Sequence, residues 1–348
     1  MRLVKASAPT KAIIAGEHSV VYGGMAIAAP LDNRKGCECK MERVENGKGV
    51  IIIEDVMGRG KYFANGNFED EDGWFRAKAK LIGYILKSEG ASIDNLKITM
   101  KFSKNKIPKG TGHSASTAAA LAICLYGALE IKAGKEKLFG AVQAFEEIAH
   151  GGRPSGIDAQ TVLSDSALKF RKIFRQDAEA KYEYGGVDLE LPEGTVLLII
   201  NTLKKGEMAD TTGALLKKFA EKAGIGKKPA EMSQAERDKI TAGFDGVVDG
   251  IEAELNKHGN AGKLGKLFNK NHGMLREYGM SSEGIEEAIG ISLKNGALGA
   301  KITGAGGEGG AVLVLCRDKA ARKILKAVGN AGLDGVEAKF SKKGAKLD

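Results

Sequence analysis

The chain has 348 residues, with 53 Lys and Arg against 44 Asp and Glu, a net charge of +9, and 48 glycines. Glycine is about twice its usual ~7%, yet the absence of a Gly-X-Y period excludes collagen, and an apolar content of 43% in periodic runs excludes disorder. The length points to two domains that bury a sizeable core and need no disulfide or metal staple.

Residues 1–55 predict strands at RLVKAS, KAIIAGE, MAIAAPL, CECKMERV and VIIIED. A helix is predicted over 74–88 and a strand over 95–103. The loop KNKIPKGTGHS then leads into an alanine-rich helix over 115–130, followed by a second helix over 135–149. A polar turn occupies 150–158, and 161–192 is mixed, with short strands ending at Pro192. A new pattern opens with the buried strand TVLLIIN (195–201). Helices follow near 210–224, 233–257, 261–278 and 282–295. Residues 299–316 read as strand, glycine turn, strand; a helix at 318–330 and a strand at 335–340 close the chain. A strand-rich part and a helix-rich part predict two α+β domains, 1–192 and 193–348.

The four cysteines, Cys37, Cys39, Cys124 and Cys316, form no C-x-x-C pair, and Cys37 and Cys39 have the spacing of one strand face. Reduced thiols in a cytoplasmic protein are expected. The opening MRLVKASAPTKAII is too charged for a secretory signal, and no apolar run approaches the ~18 residues of a membrane span. The lysines are spread along the whole chain and do not interleave with aromatics. They read as solvated helix faces, or as affinity for small polyanions, rather than as a nucleic-acid surface.

Four segments carry candidate chemistry. In PKGTGHSAS (108–116), two glycines end a loop and a helix begins at once. Converging N–H groups and the positive end of the helix dipole would suit phosphate, and the Ser114 or Ser116 hydroxyl could reach a metal ion. A Ser-capped helix after a glycine turn would have the same letters. A dinucleotide fingerprint is set aside, because the motif lies a third of the way along the chain with only Glu130 as a nearby acid. In KITGAGGEGGAVLVL (301–315), five glycines fall at 304, 306, 307, 309 and 310, more than a hairpin needs, which suggests backbone lying close to a ligand. HGGRPSGID (150–158) presents Asp158 after Glu146 and Glu147; such carboxylates suit magnesium or a reacting hydroxyl. APTKAIIAGEHSVVYGG (8–24) places Lys11 at the head of an apolar strand, where an inward charge needs a carboxylate partner, although taken alone the segment reads as a solvated strand end. His258 and His272, on lysine-rich amphipathic helices, are expected at the surface.

In this order and spacing the four segments resemble the GHMP kinase superfamily, and within it the mevalonate kinase branch. The resemblance runs from about residue 5 to 316. It implies a two-domain α+β GHMP kinase fold, with a ribosomal-protein-like N-terminal domain and a ferredoxin-like C-terminal domain. ATP and mevalonate would meet in the cleft between them. The implied reaction is ATP-dependent phosphorylation of the 5-hydroxyl of (R)-mevalonate, for isoprenoid precursors. Asp158 would face the accepting hydroxyl, with Lys11 paired to it. Lys109, Gly110, Thr111, Gly112, His113, Ser114, Ala115 and Ser116 would hold the phosphates, and Ser114 and Glu146 would hold Mg2+. Glu17, His18, Gly156, Thr303, Gly304 and Ala305 would lie on the substrate side. The implied partners are small molecules, not nucleic acid or membrane, and a homodimer is compatible. Competing readings are another kinase of the superfamily acting on a mevalonate-like alcohol or its phosphate, a related decarboxylase, and a non-catalytic relative.

The chain departs from the family pattern in four places. The phosphate loop is two residues short, with His113 at a serine position. An extra residue precedes Pro154, so counting back from His150 selects Glu146 as the metal ligand, and counting from Asp158 selects Glu147. Glu308 replaces a glycine and should point away from phosphates, and Thr10 replaces the glycine before Lys11.

Overall fold

The computed structural model describes residues 2–32, 37–55, 58–70, 73, 75–103, 110–152, 154–175, 178–204 and 206–348. In chain order the first strands are β1 (Arg2–Ala8), β2 (Thr10–Ala15), β3 (Met25–Leu31), β4 (Cys37–Glu45), β5 (Val50–Asp55), β6 (Gly58–Phe63) and β7 (Phe68–Asp70). Helix α1 (Phe75–Glu89), β8 (Leu96–Phe102), α2 (His113–Ala128), α3 (Lys135–Ala149), α4 (Ile157–Val162), β9 (Ala167–Arg175) and β10 (Ala178–Val187) follow. Residues 188–194 lead to β11 (Thr195–Asn201), α5 (Thr212–Lys222), α6 (Gln234–Glu254), α7 (Ala261–Glu277) and α8 (Glu283–Lys294). The last elements are β12 (Ala297–Thr303), β13 (Ala311–Arg317), α9 (Asp318–Asn330), β14 (Asp334–Glu337) and β15 (Lys346–Leu347). No described helix is long and apolar enough to cross a membrane.

The strands form three sheets, in the orders β15-β1-β4-β8-β5-β6-β7, β10-β9-β3-β2 and β12-β13-β11-β14. All pairings are antiparallel except β5 with β8. In the first sheet, β4 and β8 largely alternate buried and exposed side chains, so one face is dry and one is wet. Cys37, Cys39 and Met41 point to the dry face, against α2. Helix α2 is apolar all round and buried along almost its whole length, as a central helix packed on β1, β4 and α3 must be. The four cysteines are free and buried, and burial pushes the Cys37 thiol up to about 12.

The second sheet joins the two halves of the chain. Ala12, Ile14, Ile27 and Leu31 from β2 and β3 share one core with Leu197, Ile199, Leu313 and Leu315 of the third sheet and with Val247 and Phe268 of α6 and α7. Helix α7 lies on β12 at backbone contact: a Cβ on Gly299 would fall 2.1 Å from the Gly265 carbonyl oxygen, and one on Gly265 would fall 2.3 Å from that of Leu298.

Some sequence expectations change here. β6 and β7 were not expected, because GRGKYF opens on glycines and bases without alternation. Helix α4 occupies part of the region read as mixed, and α2 begins at His113 rather than 115, with Gly112 as a left-handed N-cap at φ 72°. His272 is not a surface residue. It is 5% exposed, because α7 turns it toward α8, where Nε2 lies 3.0 Å from Glu286 Oε1; His258 is exposed.

The Gly265–Gly299 contact sets two effects against each other. Alanine in a helix interior is favoured over glycine by ~1 kcal/mol, but the added carbon meets backbone that cannot move aside. Gly265→Ala is therefore expected to destabilise the protein by about 1–3 kcal/mol in urea unfolding. A more stable variant would mean that α7 can lift from β12.

Candidate active site

Strand β2 is buried at every position, and Lys11 is part of it, at 2% exposure. An ammonium there must be paired. Its Nζ lies 2.9 Å from Asp158 Oδ1. Asp158 stands in the first turn of α4, which begins after Gly156 at φ 93°. The Lys11 amide donates to the Thr111 carbonyl at 2.8 Å, which ties the strand to the first glycine turn. A Cβ at Gly112 would fall 2.7 Å from Lys11 Cγ and 2.8 Å from Cε, so the lysine stem lies directly on that glycine. A Cβ at Gly304 would fall 2.6 Å from the Gly110 carbonyl oxygen. The two glycine-rich turns thus meet backbone to backbone beside the Lys11–Asp158 pair.

A cavity of about 480 Å³ opens at this junction. Of the residues predicted from sequence, Lys11, His18, Gly110, Gly112, His113, Ser114, Asp158, Gly304 and Ala305 line it. Thr111, Ala115, Ser116, Glu17, Glu146, Gly156 and Thr303 do not. The Ser116 hydroxyl points away and donates to the Ala8 carbonyl at 3.0 Å. The Thr303 hydroxyl donates to the Ile13 carbonyl and accepts from the Ile13 amide, each at 3.0 Å, stitching β12 to β2. Glu17 is fully buried in an ion pair with Lys301, and burial pushes its carboxyl up against the pull of that lysine. Lys109 and Arg153 lie outside the described residues.

His18 forms part of the cavity wall. Its ring stacks on Phe219 with centroids 5.1 Å apart, and Nε2 lies 2.9 Å from the Ala305 carbonyl oxygen. A carbonyl only accepts, so Nε2 carries the proton and Nδ1 is left as a buried acceptor without a partner. Burial lowers the His18 pKa to about 4. His113, the first residue of α2, is also held neutral-favouring by burial.

Glu146 and Glu147 part company. Glu147 is exposed and bonded to Lys80 at 2.6 Å. Glu146 is 1% exposed, with His150 Nε2 2.9 Å from its Oε2. The other carboxylate oxygen, Oε1, is buried without a hydrogen-bond partner. Burial alone would lower the His150 pKa; the Glu146 and Asp158 carboxylates outweigh it and raise the pKa.

The sequence reading did not pick out His150, Ser155 and the segment Ala209–Thr212 as cavity residues. Asp210 Oδ2 accepts from the Glu308 amide at 2.9 Å, and its own amide donates to the Glu308 carbonyl at 3.1 Å. The Glu308 side chain is left in solvent. Thr211 caps α5 by accepting from the Ala214 amide at 3.2 Å. Asp-Thr-Thr before a helix has the letters of an ordinary N-cap, and nothing in its spacing links it to the glycine turns.

The profile described as GHMP kinases C terminal matches residues 251–334. A mevalonate kinase of Thermococcus onnurineus is 30% identical over 99% of this chain and 98% of its own length. The chain belongs to the mevalonate kinase family. L. major mevalonate kinase, solved in complex with R-mevalonate, superposes with a TM-score of 0.71 at 20% identity over 97% of this chain and 96% of its own. Lactococcus lactis galactokinase, solved with galactose, gives 0.75 at 18% identity over 99% and 95%. Family membership therefore rests on the sequence relative, because the α+β fold of these kinases is shared by members acting on different alcohols.

Two outcomes follow from this geometry. Gly112→Ala should lower kcat, because the new methyl displaces the Lys11 stem and a left-handed φ costs a non-glycine residue ~1–2 kcal/mol; unchanged kcat would mean that Lys11 can shift without loss. His18 should remain neutral at pH 5.5 in an NMR titration, with the proton on Nε2. A pKa lowered on folding makes a contribution that is present above the unfolded value of 6.5 and is lost as pH falls toward about 4, by about 3 kcal/mol in full. His18→Gln should flatten that part of the stability profile, and a His18 midpoint near 6.5 would contradict the burial argument.

Proposed function

We propose that this chain phosphorylates the 5-hydroxyl of (R)-mevalonate with ATP, giving 5-phosphomevalonate and ADP, and so acts on soluble small molecules of isoprenoid precursor synthesis in the cytoplasm. The observation that carries this reading is the buried Lys11–Asp158 pair facing a cavity between two touching glycine turns. Residues 1–192 would form the domain bearing the first turn and Asp158, and 193–348 the domain bearing the second, with the closing strand β15 returning to β1 of the first.

Phosphoryl transfer needs positioning and charge neutralisation more than covalent help. The amides of Gly110–Ser114 at the start of α2 suit the β- and γ-phosphates, since they offer N–H groups and the positive dipole end without competing side chains. Asp158 accepts the hydrogen bond of the attacking hydroxyl and takes its proton as the new P–O bond forms. Lys11 orients Asp158 through the 2.9 Å ion pair and stabilises the developing alkoxide. A carboxylate is a weak base for an alcohol, so the proton moves late and orientation is the larger contribution. Ser114 and Glu146 would hold Mg2+, which would neutralise charge on the phosphates. Their oxygen donors suit that ion, and the buried Glu146 Oε1, which has no hydrogen-bond partner, fits a cation.

The purified chain with ATP and Mg2+ should release ADP when given (R)-mevalonate, and little with galactose or phosphomevalonate. Asp158→Asn and Lys11→Met should each reduce kcat by at least ~100-fold, the scale of a positioned acid–base group. Near wild-type kcat in both variants would overturn the assignment, and preference for phosphomevalonate would move the acceptor to the next alcohol phosphate.

A further inference from the structure

We propose that Asp210 is a positioning residue for phosphoryl transfer: it latches the second glycine turn to the segment before α5, so that the two are held as one wall of the cavity. This rests on the cavity being the kinase site proposed above, and it acts through the turn rather than through contact with a reacting atom.

The turn from Gly304 to Gly310 has little shape of its own. Gly304, Gly306, Gly307 and Gly309 all have positive φ, between 68° and 80°, and glycine loses more conformational freedom on ordering than any other residue. Bonds from three places fix the turn against its surroundings. The Thr202 amide and hydroxyl both donate to the Gly310 carbonyl, at 3.2 and 2.6 Å. The Gly307 amide donates to the Met280 carbonyl at 2.9 Å, and the Ser282 hydroxyl donates to the Gly307 carbonyl at 3.2 Å. Asp210 makes the third attachment. Of these anchoring residues it is the one that lines the cavity, together with its neighbours Ala209, Thr211 and Thr212.

The attachment is two-sided. The Asp210 amide donates to the Glu308 carbonyl at 3.1 Å, and Asp210 Oδ2 accepts from the Glu308 amide at 2.9 Å. A hydrogen bond to a carboxylate is roughly twice as strong as a neutral one. The two segments also fit too closely for side chains on the turn. A Cβ on Gly307 would fall 2.6 Å from the same Oδ2 and 2.6 Å from Leu215 Cδ2 of α5, and one on Gly309 would fall 2.9 Å from Ala209 Cβ. Leu215 is buried, so the latch leads into a helix fixed in the core. At its other end the turn presents the Ala305 carbonyl to His18 and sets Gly304 on the Gly110 carbonyl. Losing the latch would therefore loosen the second turn where it meets the first, beside the Lys11–Asp158 pair, and reacting groups tolerate little displacement.

The test compares Asp210→Ala with Asp210→Asn, because the asparagine oxygen still accepts from the Glu308 amide while the charge is gone. Turnover is read with (R)-mevalonate or, if the wild type prefers another alcohol, with that alcohol; the preference bears on the proposed function and not on the latch. Asp210→Ala should lower kcat at least ~10-fold, and Asp210→Asn should keep most of the wild-type kcat. Hydrogen exchange at the Glu308 amide should be slow in the wild type and in Asp210→Asn and faster in Asp210→Ala, with β12 and β13 unchanged. Unaltered kcat in Asp210→Ala would reduce the contact to upkeep of the fold and overturn the proposal. A loss in Asp210→Asn as large as in Asp210→Ala would assign the effect to charge and overturn it equally. Should Asp210→Ala fail to fold, exchange in the wild type decides, and a Glu308 amide that exchanges as fast as an open loop overturns the latch.

Discussion

A lysine sits in the middle of a dry strand, and the arrangement around it follows from that charge. At 2% exposure the Lys11 ammonium needs a carboxylate at contact distance, which Asp158 supplies at 2.9 Å. Desolvating both groups offsets much of their attraction, so such a pair is a poor source of stability. Its presence is better explained by what it does at the cavity. Holding it requires a glycine under the lysine stem, a left-handed glycine before α4, and a carbonyl from the first turn on the Lys11 amide.

Strand β2 also connects the rest of the site. Two residues beyond Lys11, the Ile13 amide and carbonyl both bond to the Thr303 hydroxyl, which places the second glycine turn in register with the first. A second buried pair, Glu17 with Lys301, locks the end of β2 to β12 just behind that contact. The cavity is therefore fixed from one strand through two ion pairs and one hydroxyl. This explains why Thr303 and Glu17, though part of the family pattern, turn inward rather than face the cavity. Their part in the geometry is to hold the backbone that does.

What could be read from the sequence followed from local rules. Alternation and helical spacing marked most elements from β11 onward within a few residues, because each is a long run with one apolar period. The glycine turns were legible because so many left-handed or side-chain-free positions serve no fold purpose alone. Lys11 was legible as an inward charge that needs a carboxylate partner, and Asp158 as a carboxylate at the end of a Gly- and Pro-rich turn. The partners that distance in the chain conceals were not legible. His150 looks like part of a polar turn until α3 brings it beside Glu146, and Asp210 looks like a helix cap until the third sheet carries it to Glu308. His272 misled for a similar reason, since a polar residue on the buried side of α7 meets a glutamate from α8 through Nε2. The extra residue before Pro154 left two candidates for the metal-binding acid. Helix phase separates them, with Glu147 on the solvent side and Glu146 on the buried side.

The distribution of charge gives the glycines their meaning. The net charge of +9 suggests attraction to anions, yet Lys11 is the one Lys or Arg among the described residues that line the cavity, and Asp158 already holds it. Asp210 adds a carboxyl group to the wall. Side-chain cations in that described wall are too few to offset a triphosphate. The remaining sources are backbone amides, the start of α2 and a bound cation. Amides can converge on a phosphate only where Cβ atoms are absent, and here the turns also touch each other closely enough to forbid a Cβ at Gly304. The glycine excess is thus partly an electrostatic feature, since a site with few free cations must collect its positive potential from the main chain.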